Sequence, residues 1–199
     1  MTYPSIYPTG ATIYDPTRCW NGYTIYQAKD LGALLIDMNG AEVKLWKGLH
    51  GLPNKMLPGG YVLGATGERN TKYGMQDYLD VVQVDWEGTV VWRFNEFEYI
   101  EDPGEEPRWM ARQHHDFQRE GCPVGYFVPD MEPKTDGGNT LLLCHKTTTQ
   151  PDITSKPLLD DTFVEVDWDG NIVWKFNQYE YIEDFGEEPQ WMARVHHDY

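Results

Sequence analysis

The chain has 199 residues and a formal net charge of -16, from 32 acidic against 16 basic side chains. That balance excludes nucleic acid as an expected partner, because phosphate recognition needs clustered positive charge. No stretch approaches the ~20 consecutive apolar residues of a membrane-spanning helix, while 40% apolar and 14% aromatic content suit a single domain with a sizeable core.

From the N-terminus, MTYPSIYPTG has neither a basic n-region nor an apolar h-region, so no secretory leader is read there. The first clear element is ALLIDMNGAEVKLW, Ala33 to Trp46: an apolar run, an Asp, a Gly three residues on, and an apolar strand closing in Trp. Asp orders short turns and Gly accepts positive φ, so the composition predicts a β-hairpin turning near Gly40. LHGLPNKMLPGGYVLGA then reads as strand, Gly-rich turn, strand. GMQDYLDVVQV carries the best helical spacing of apolar residues, over a short length. VVQVDWEGTVVWRF repeats the hairpin near Gly88. The insert EYIEDPGEEPRWM is acidic and polar and reads as a loop, with one helical turn predicted over EEPRWMAR. HHDFQREGCPVGYFVPD and GGNTLLLCHK predict further strands, TTTQPDITSKPLLDD a second polar loop, and FVEVDWDGNIVWKF a third hairpin near Gly170. Cys19, Cys122 and Cys144 show no metal-site spacing. Cys122 and Cys144 can pair if two strands bring them together, and three free thiols in a reducing compartment fit equally well.

Residues 81–117 and 163–199 are near copies: VDW, VW, EYIED, GEEP, WMAR and HHD recur at a constant offset. Such repetition marks a modular architecture. Four antiparallel strands per unit make a propeller blade. The predicted fold is therefore all-β, a β-propeller of four-stranded antiparallel blades in one domain over 1–199, holding two to three blades of a larger ring. The units are a hairpin at 20–48, blades at 49–95 and 114–177, and the start of the next at 196–199, with inserted acidic loops at 96–113 and 178–195. Trp46, Trp92 and Trp174 close the hairpins at matching positions and are expected to pack between blades. An open arc exposes sheet edges, so further chain, or other copies in a homo-oligomer, are expected to complete the ring.

The histidines carry the candidate chemistry. Adjacent residues in a regular strand face opposite sides. Of His114 and His115, then, one points inward, and the match to His50 before a Gly-rich turn selects His115. By the repeat, His197 matches His115 and His196 matches His114. Imidazoles exchange protons near neutral pH or attack as nucleophiles. Arg112 and Arg194 offer a fork for an oxyanion, with Lys146 in support. Trp109 and Trp191 are candidate walls for an aromatic substrate. No metal or other cofactor is expected, because HHD lacks the spacing of a preorganised zinc helix.

GYTIYQAKDLGALLIDMNGAEVKLW, VDWEGTVVWRF and HHDFQREGCPVGYF with GGNTLLLCH resemble the arylsulfotransferase-like family of β-propeller proteins, over nearly the whole chain from about Tyr23. The resemblance implies a six-bladed ring, a periplasmic or extracellular location, and transfer of a sulfuryl group between small phenolic compounds without a nucleotide donor. A cytoplasmic location is expected instead if the absence of a leader is genuine, and a leader removed before this sequence begins leaves the first location open. Carried over by motif position, His115, His197 and His50 are channel histidines, one of them a covalent carrier. Two other readings stand beside this one: a non-catalytic propeller that binds a protein or glycan, and a metal-dependent hydrolase or lyase.

Overall fold

In the computed structural model, the described residues are 11, 13–74, 76–121 and 131–185. They form an all-β fold of antiparallel sheets. β1 (Thr24–Ala28), β2 (Gly32–Ile36) and β3 (Glu42–Lys47) make a three-stranded sheet. β4 (His50–Met56), β5 (Val62–Ala65), β6 (Val81–Val84) and β7 (Val90–Phe94) make a four-stranded one in chain order. β8 (Glu98–Ile100) and β9 (Arg108–Met110) pair as a small hairpin inside the acidic insert. β10 (Gln113–Arg119), β11 (Thr140–Thr148), β12 (Leu158–Val166) and β13 (Ile172–Asn177) form the second four-stranded sheet, followed by a 3-10 helix over Gln178–Phe185. No helix among the described residues is long and apolar enough to cross a membrane.

The three main hairpins share one turn. Asp37, Asp85 and Asp167 each accept from the backbone N–H of the residue four further on, through Oδ1, at 2.9, 2.7 and 2.8 Å. Gly40, Gly88 and Gly170 sit at φ of 78°, 92° and 85°, a region that costs a residue with Cβ. Each hairpin then shifts register at the same place, the bulge that follows such a turn.

The sheets pack through apolar faces. Ala33, Leu35 and Trp46 meet Val62, Val82 and Val84. On the other side of the middle sheet, Leu63, Val81, Trp92 and Phe94 meet Phe117, Leu142, Cys144, Val164 and Val166. Trp46 Nε1 donates to Asp85 O at 3.0 Å, and Trp92 Nε1 to Trp168 O at 2.9 Å, so each closing Trp grips the turn of the next sheet. Trp92 and Trp168 stack with ring centroids 6.0 Å apart, and the buried Arg119 guanidinium contacts both rings, at 4.7 and 4.9 Å. Trp174, the ladder equivalent of Trp92, is 49% exposed, whereas Trp46 sits two residues further along its strand, opposite Ala33.

Two local expectations are corrected. The run ending in DYLDVVQV is not helical: Tyr78 bridges both Glu68 and Gln113, and Val81–Val84 is a strand with every residue buried. A strand covered on both faces reads as a continuous apolar run, which periodicity alone does not separate from a helix. Arg108–Met110 is likewise a strand rather than a helical turn, because Glu98–Ile100 supplies its partner. Cys144 is buried with a free thiol, which burial pushes well above its ordinary pKa. Cys122 lies outside the described residues.

Candidate functional site

The segment between β5 and β6 stitches the middle sheet to the last. Tyr78 N–H donates to Gln113 O at 3.0 Å, and Ala111 N–H to Leu79 O at 2.9 Å. His145 N–H on β11 donates to Arg112 O at 2.8 Å. These main-chain bonds bring Asp77, Arg112, His114 and His145 together, although 68 residues separate Asp77 from His145. β12 completes the site, since His145 and Asp161 are directly opposed across the β11–β12 ladder.

His114 and His145 stack face to face, with ring centroids 3.7 Å apart and planes 16° apart. Both are buried, at 0% and 2% exposure. His114 Nε2 lies 3.1 Å from Asp161 Oδ1, and His145 Nε2 lies 3.8 Å from the same oxygen. On its other side His145 Nδ1 donates to Asp77. That bond sets the tautomer: a neutral His145 then offers a lone pair at Nε2, toward Asp161. Burial depresses the pKa of His114, and the neighbouring imidazoles add to this against the pull of Asp161.

Asp77 is held in turn. Its Oδ2 accepts from Arg69 Nη1 at 2.8 Å and from Arg112 Nε at 3.1 Å. Burial works against the charge of Asp77, but the bond from His145 and the two guanidinium groups outweigh it, and the pKa falls to about 2. Arg112 also pairs with Glu98 and donates to Thr147 Oγ1 at 2.9 Å. Arg69 makes a two-pronged pair with Asp102 at 2.8 and 2.7 Å. The β8–β9 hairpin and the β5–β6 segment thus clamp the carboxylate behind His145.

The backbone of β10 is bent to allow this. Arg112 and His115 adopt φ of 51° and 55°, a left-handed conformation that costs a non-Gly residue of order 1–3 kcal/mol. The β10–β11 register shifts between Gln113 and Phe117. Strand alternation, which placed His115 inward and His114 outward, therefore fails. The two rings sit side by side, with centroids 5.1 Å apart, and it is His114 that stacks on His145.

The remaining predicted residues scatter. His50 is half-buried on β4 opposite Ala65, outside the His114–His145–Asp161 group. Lys146 follows His145 in a regular strand, so it faces away from the cluster, opposite Asp160. Trp109 is 50% exposed and stacks edge-on with Tyr99 at 5.6 Å, on the hairpin face away from buried Met110. Trp191, Arg194, His196 and His197 lie outside the described residues. Arg112 is no open anion fork, since its guanidinium is 2% exposed and engaged with two carboxylates. Sequence reasoning missed Asp77, His145 and Asp161. The signal for the last two was the pairing of LLLCHKTT with LLDDTFVEV, which needs the register before it says anything.

No family model, curated protein or solved structure matches this chain.

Proposed function

We propose that the chain carries a metal-dependent centre for hydrolysis or elimination, on sheets stacked as propeller blades, with His114 Nε2, His145 Nε2 and an Asp161 carboxylate oxygen as the ligands. The observation that carries this reading is the convergence of these three donors within 4.8 Å of one another in a buried setting. Bonds of 2.0–2.1 Å in a tetrahedral site put ligand atoms about 3.3 Å apart, close to the 3.1 and 3.8 Å seen from Asp161 to the two imidazoles; because each lone pair lies in its ring plane, the stacked rings must splay apart for both Nε2 atoms to reach one ion. The His145 bond to Asp77 is the carboxylate–histidine arrangement that orients a ligand ring and raises its basicity. A borderline divalent ion such as zinc suits two imidazoles and one carboxylate, leaving a fourth position for water or substrate. When bound, the ion supplies a Lewis acid. The chain's own part is to hold His145 in one tautomer through Asp77, and to place the His115 ring beside His114 as a group able to carry a proton.

Elemental analysis of protein purified without chelator or affinity metal tests this. We expect about one transition-metal ion per chain, lost in His114→Ala, His145→Ala and Asp161→Asn. Metal-free protein that also fails to take up zinc on titration would sink the proposal.

A second reading follows from the resemblance and from the contact of three imidazoles, His114, His115 and His145. In it, a histidine nitrogen takes the sulfuryl group from an aryl sulfate as the phenolate leaves, and a phenol acceptor then removes that group. It lacks a free cationic fork, because Arg112 is already paired. Transfer from an aryl sulfate to a phenol in the presence of chelator, abolished by substitution of these histidines, would select it over the metal centre.

A further inference from the structure

The segment between β5 and β6 is closed at its base by the Glu68–Tyr78 bridge, and Arg69 N–H donates to Asp77 O at 2.7 Å. Arg69 and Asp77 are therefore neighbours, and Arg69 Nη1 donates to Asp77 Oδ2 at 2.8 Å. The other oxygen, Oδ1, accepts from His145 Nδ1. Gly74 stands against this pair. A Cβ built on it would lie 2.5 Å from Asp77 Oδ2 and 3.1 Å from Arg69 Nη1. A residue without a side chain lets the carboxylate and the guanidinium meet at that point.

The same segment is tied to the acidic insert at three points. Arg69 Nε and Nη2 hold the two oxygens of Asp102 at 2.8 and 2.7 Å. Asn70 Nδ2 donates to Glu105 Oε1 at 2.9 Å, and the Tyr73 hydroxyl donates to Pro103 O. Asp102, Pro103 and Glu105 belong to the turn that joins β8 to β9, where Glu105 N–H donates to Asp102 O at 3.0 Å. The Arg69 and Asp102 side chains are 11% and 8% exposed, so solvent ions screen their pair little. A two-pronged guanidinium–carboxylate pair also fixes direction, which a single contact does not. The turn thus orients Arg69, Arg69 orients Asp77, and Asp77 orients the His145 ring.

We propose that Arg69 is a positioning residue of the histidine centre: held by the acidic insert at Asp102, and admitted by the gap at Gly74, it fixes the Asp77 carboxylate that orients His145. The acidic insert is then part of the frame of the centre. Zinc affinity reports on this role only under the metal reading of the preceding section, whereas the tautomer of His145 reports on it without any ion.

Gly74→Ala is the sharpest probe. Its methyl group meets the ends of the Asp77 and Arg69 side chains rather than main chain, so it displaces the carboxylate without removing a charge. Long-range proton–nitrogen correlation spectra of the full chain, metal-free and at mildly alkaline pH, read the tautomer of His145, whose signals are assigned by their loss in His145→Gln. Wild type should hold the proton on Nδ1. Gly74→Ala and Arg69→Met should lose that preference, and Asp102→Asn should weaken it. Zinc affinity, measured by titration against a chromophoric chelator, should fall about tenfold in Gly74→Ala and Arg69→Met. Arg93→Met removes a cation paired with Asp80 at 3.3 Å, outside this chain of contacts, and should change neither readout. A folded Gly74→Ala with the wild-type tautomer overturns the proposal, as does an equal change in Arg93→Met. If Arg69→Met does not fold, Gly74→Ala and Asp102→Asn decide. A wild type that takes up no zinc sinks the metal reading alone, and the tautomer still decides the role of Arg69.

Discussion

Residues 98–102 and 180–184 are both Glu-Tyr-Ile-Glu-Asp, yet the first begins with a strand and the second lies in a 3-10 helix. Their partners differ. In the first copy Glu98 pairs with Arg112 and Asp102 with Arg69, while Tyr99 meets Trp109 across the ladder. In the second, Glu180 accepts from Asn177 at 2.8 Å, Tyr181 stacks on Phe176 at 4.6 Å, and the N–H of Tyr179 caps onto Asp160 at 2.9 Å. A segment this short has too weak a local preference to choose its own shape, and long-range partners choose for it. The closing tryptophans show the same thing: one identity in the turn-and-strand motif, but Trp92 is covered by a neighbouring sheet and Trp174 is not.

The sharpest way to break this contrast is to remove the cation that organises the first copy. Arg112→Met leaves Asp77 buried beside His145 and Glu98 without its partner, and we expect a loss of about 3–5 kcal/mol in chemical denaturation. Trp92→Ala should cost a similar ~3–5 kcal/mol through the cavity it leaves. Trp174→Ala should cost under about 1 kcal/mol. Equal losses at the two tryptophans would erase the distinction drawn here.

Acidity separates the two regions by sign. With chelator present, Asp77 has a folded pKa of about 2 against an ordinary 3.8, so its contribution is present above pH 4. It is lost as the pH falls toward 2 and amounts to about 2 kcal/mol. Asp160, next to the second copy, is pushed up to about 6 by burial, against the bonds it accepts from Tyr179 and Thr162. Its contribution is full below pH 4 and lost as the pH rises through 6, about 3 kcal/mol. Denaturation midpoints of the two Asn variants, which mimic the protonated acids, should therefore approach wild type toward pH 2 and depart from it in opposite directions as the pH rises: Asp77→Asn becomes less stable than wild type above pH 4, and Asp160→Asn more stable above pH 6. The smallest expected effect is at the exposed Trp109: Trp109→Ala should leave metal content unchanged and stability within about 0.5 kcal/mol.

The three Asp-to-Gly turns were legible from the sequence because their chemistry is local: one carboxylate and one residue able to take positive φ, a few positions apart. The antiparallel, all-β character followed from the apolar runs between those turns. The histidine centre was only half legible. WMAR-x-HHD drew attention to the right strand, but the choice between His114 and His115 rested on regular alternation, and the left-handed residues Arg112 and His115 remove that regularity. Asp77 was hidden in a run that resembled a helix, and Asp161 in a stretch that resembled a polar loop.

The sequence by itself determined the hairpins, their turn geometry and the repeat that spaces them, because each depends on residues within reach of one another along the chain. Only the tertiary structure decided which imidazole stacks on His145, which carboxylates flank it, and which copy of EYIED is a strand. Those outcomes depend on register between β10, β11 and β12 and on main-chain bonds from the β5–β6 segment. A one-residue change in register exchanges the faces of a strand. Contacts between residues distant in the chain are therefore settled by packing and not by local preference.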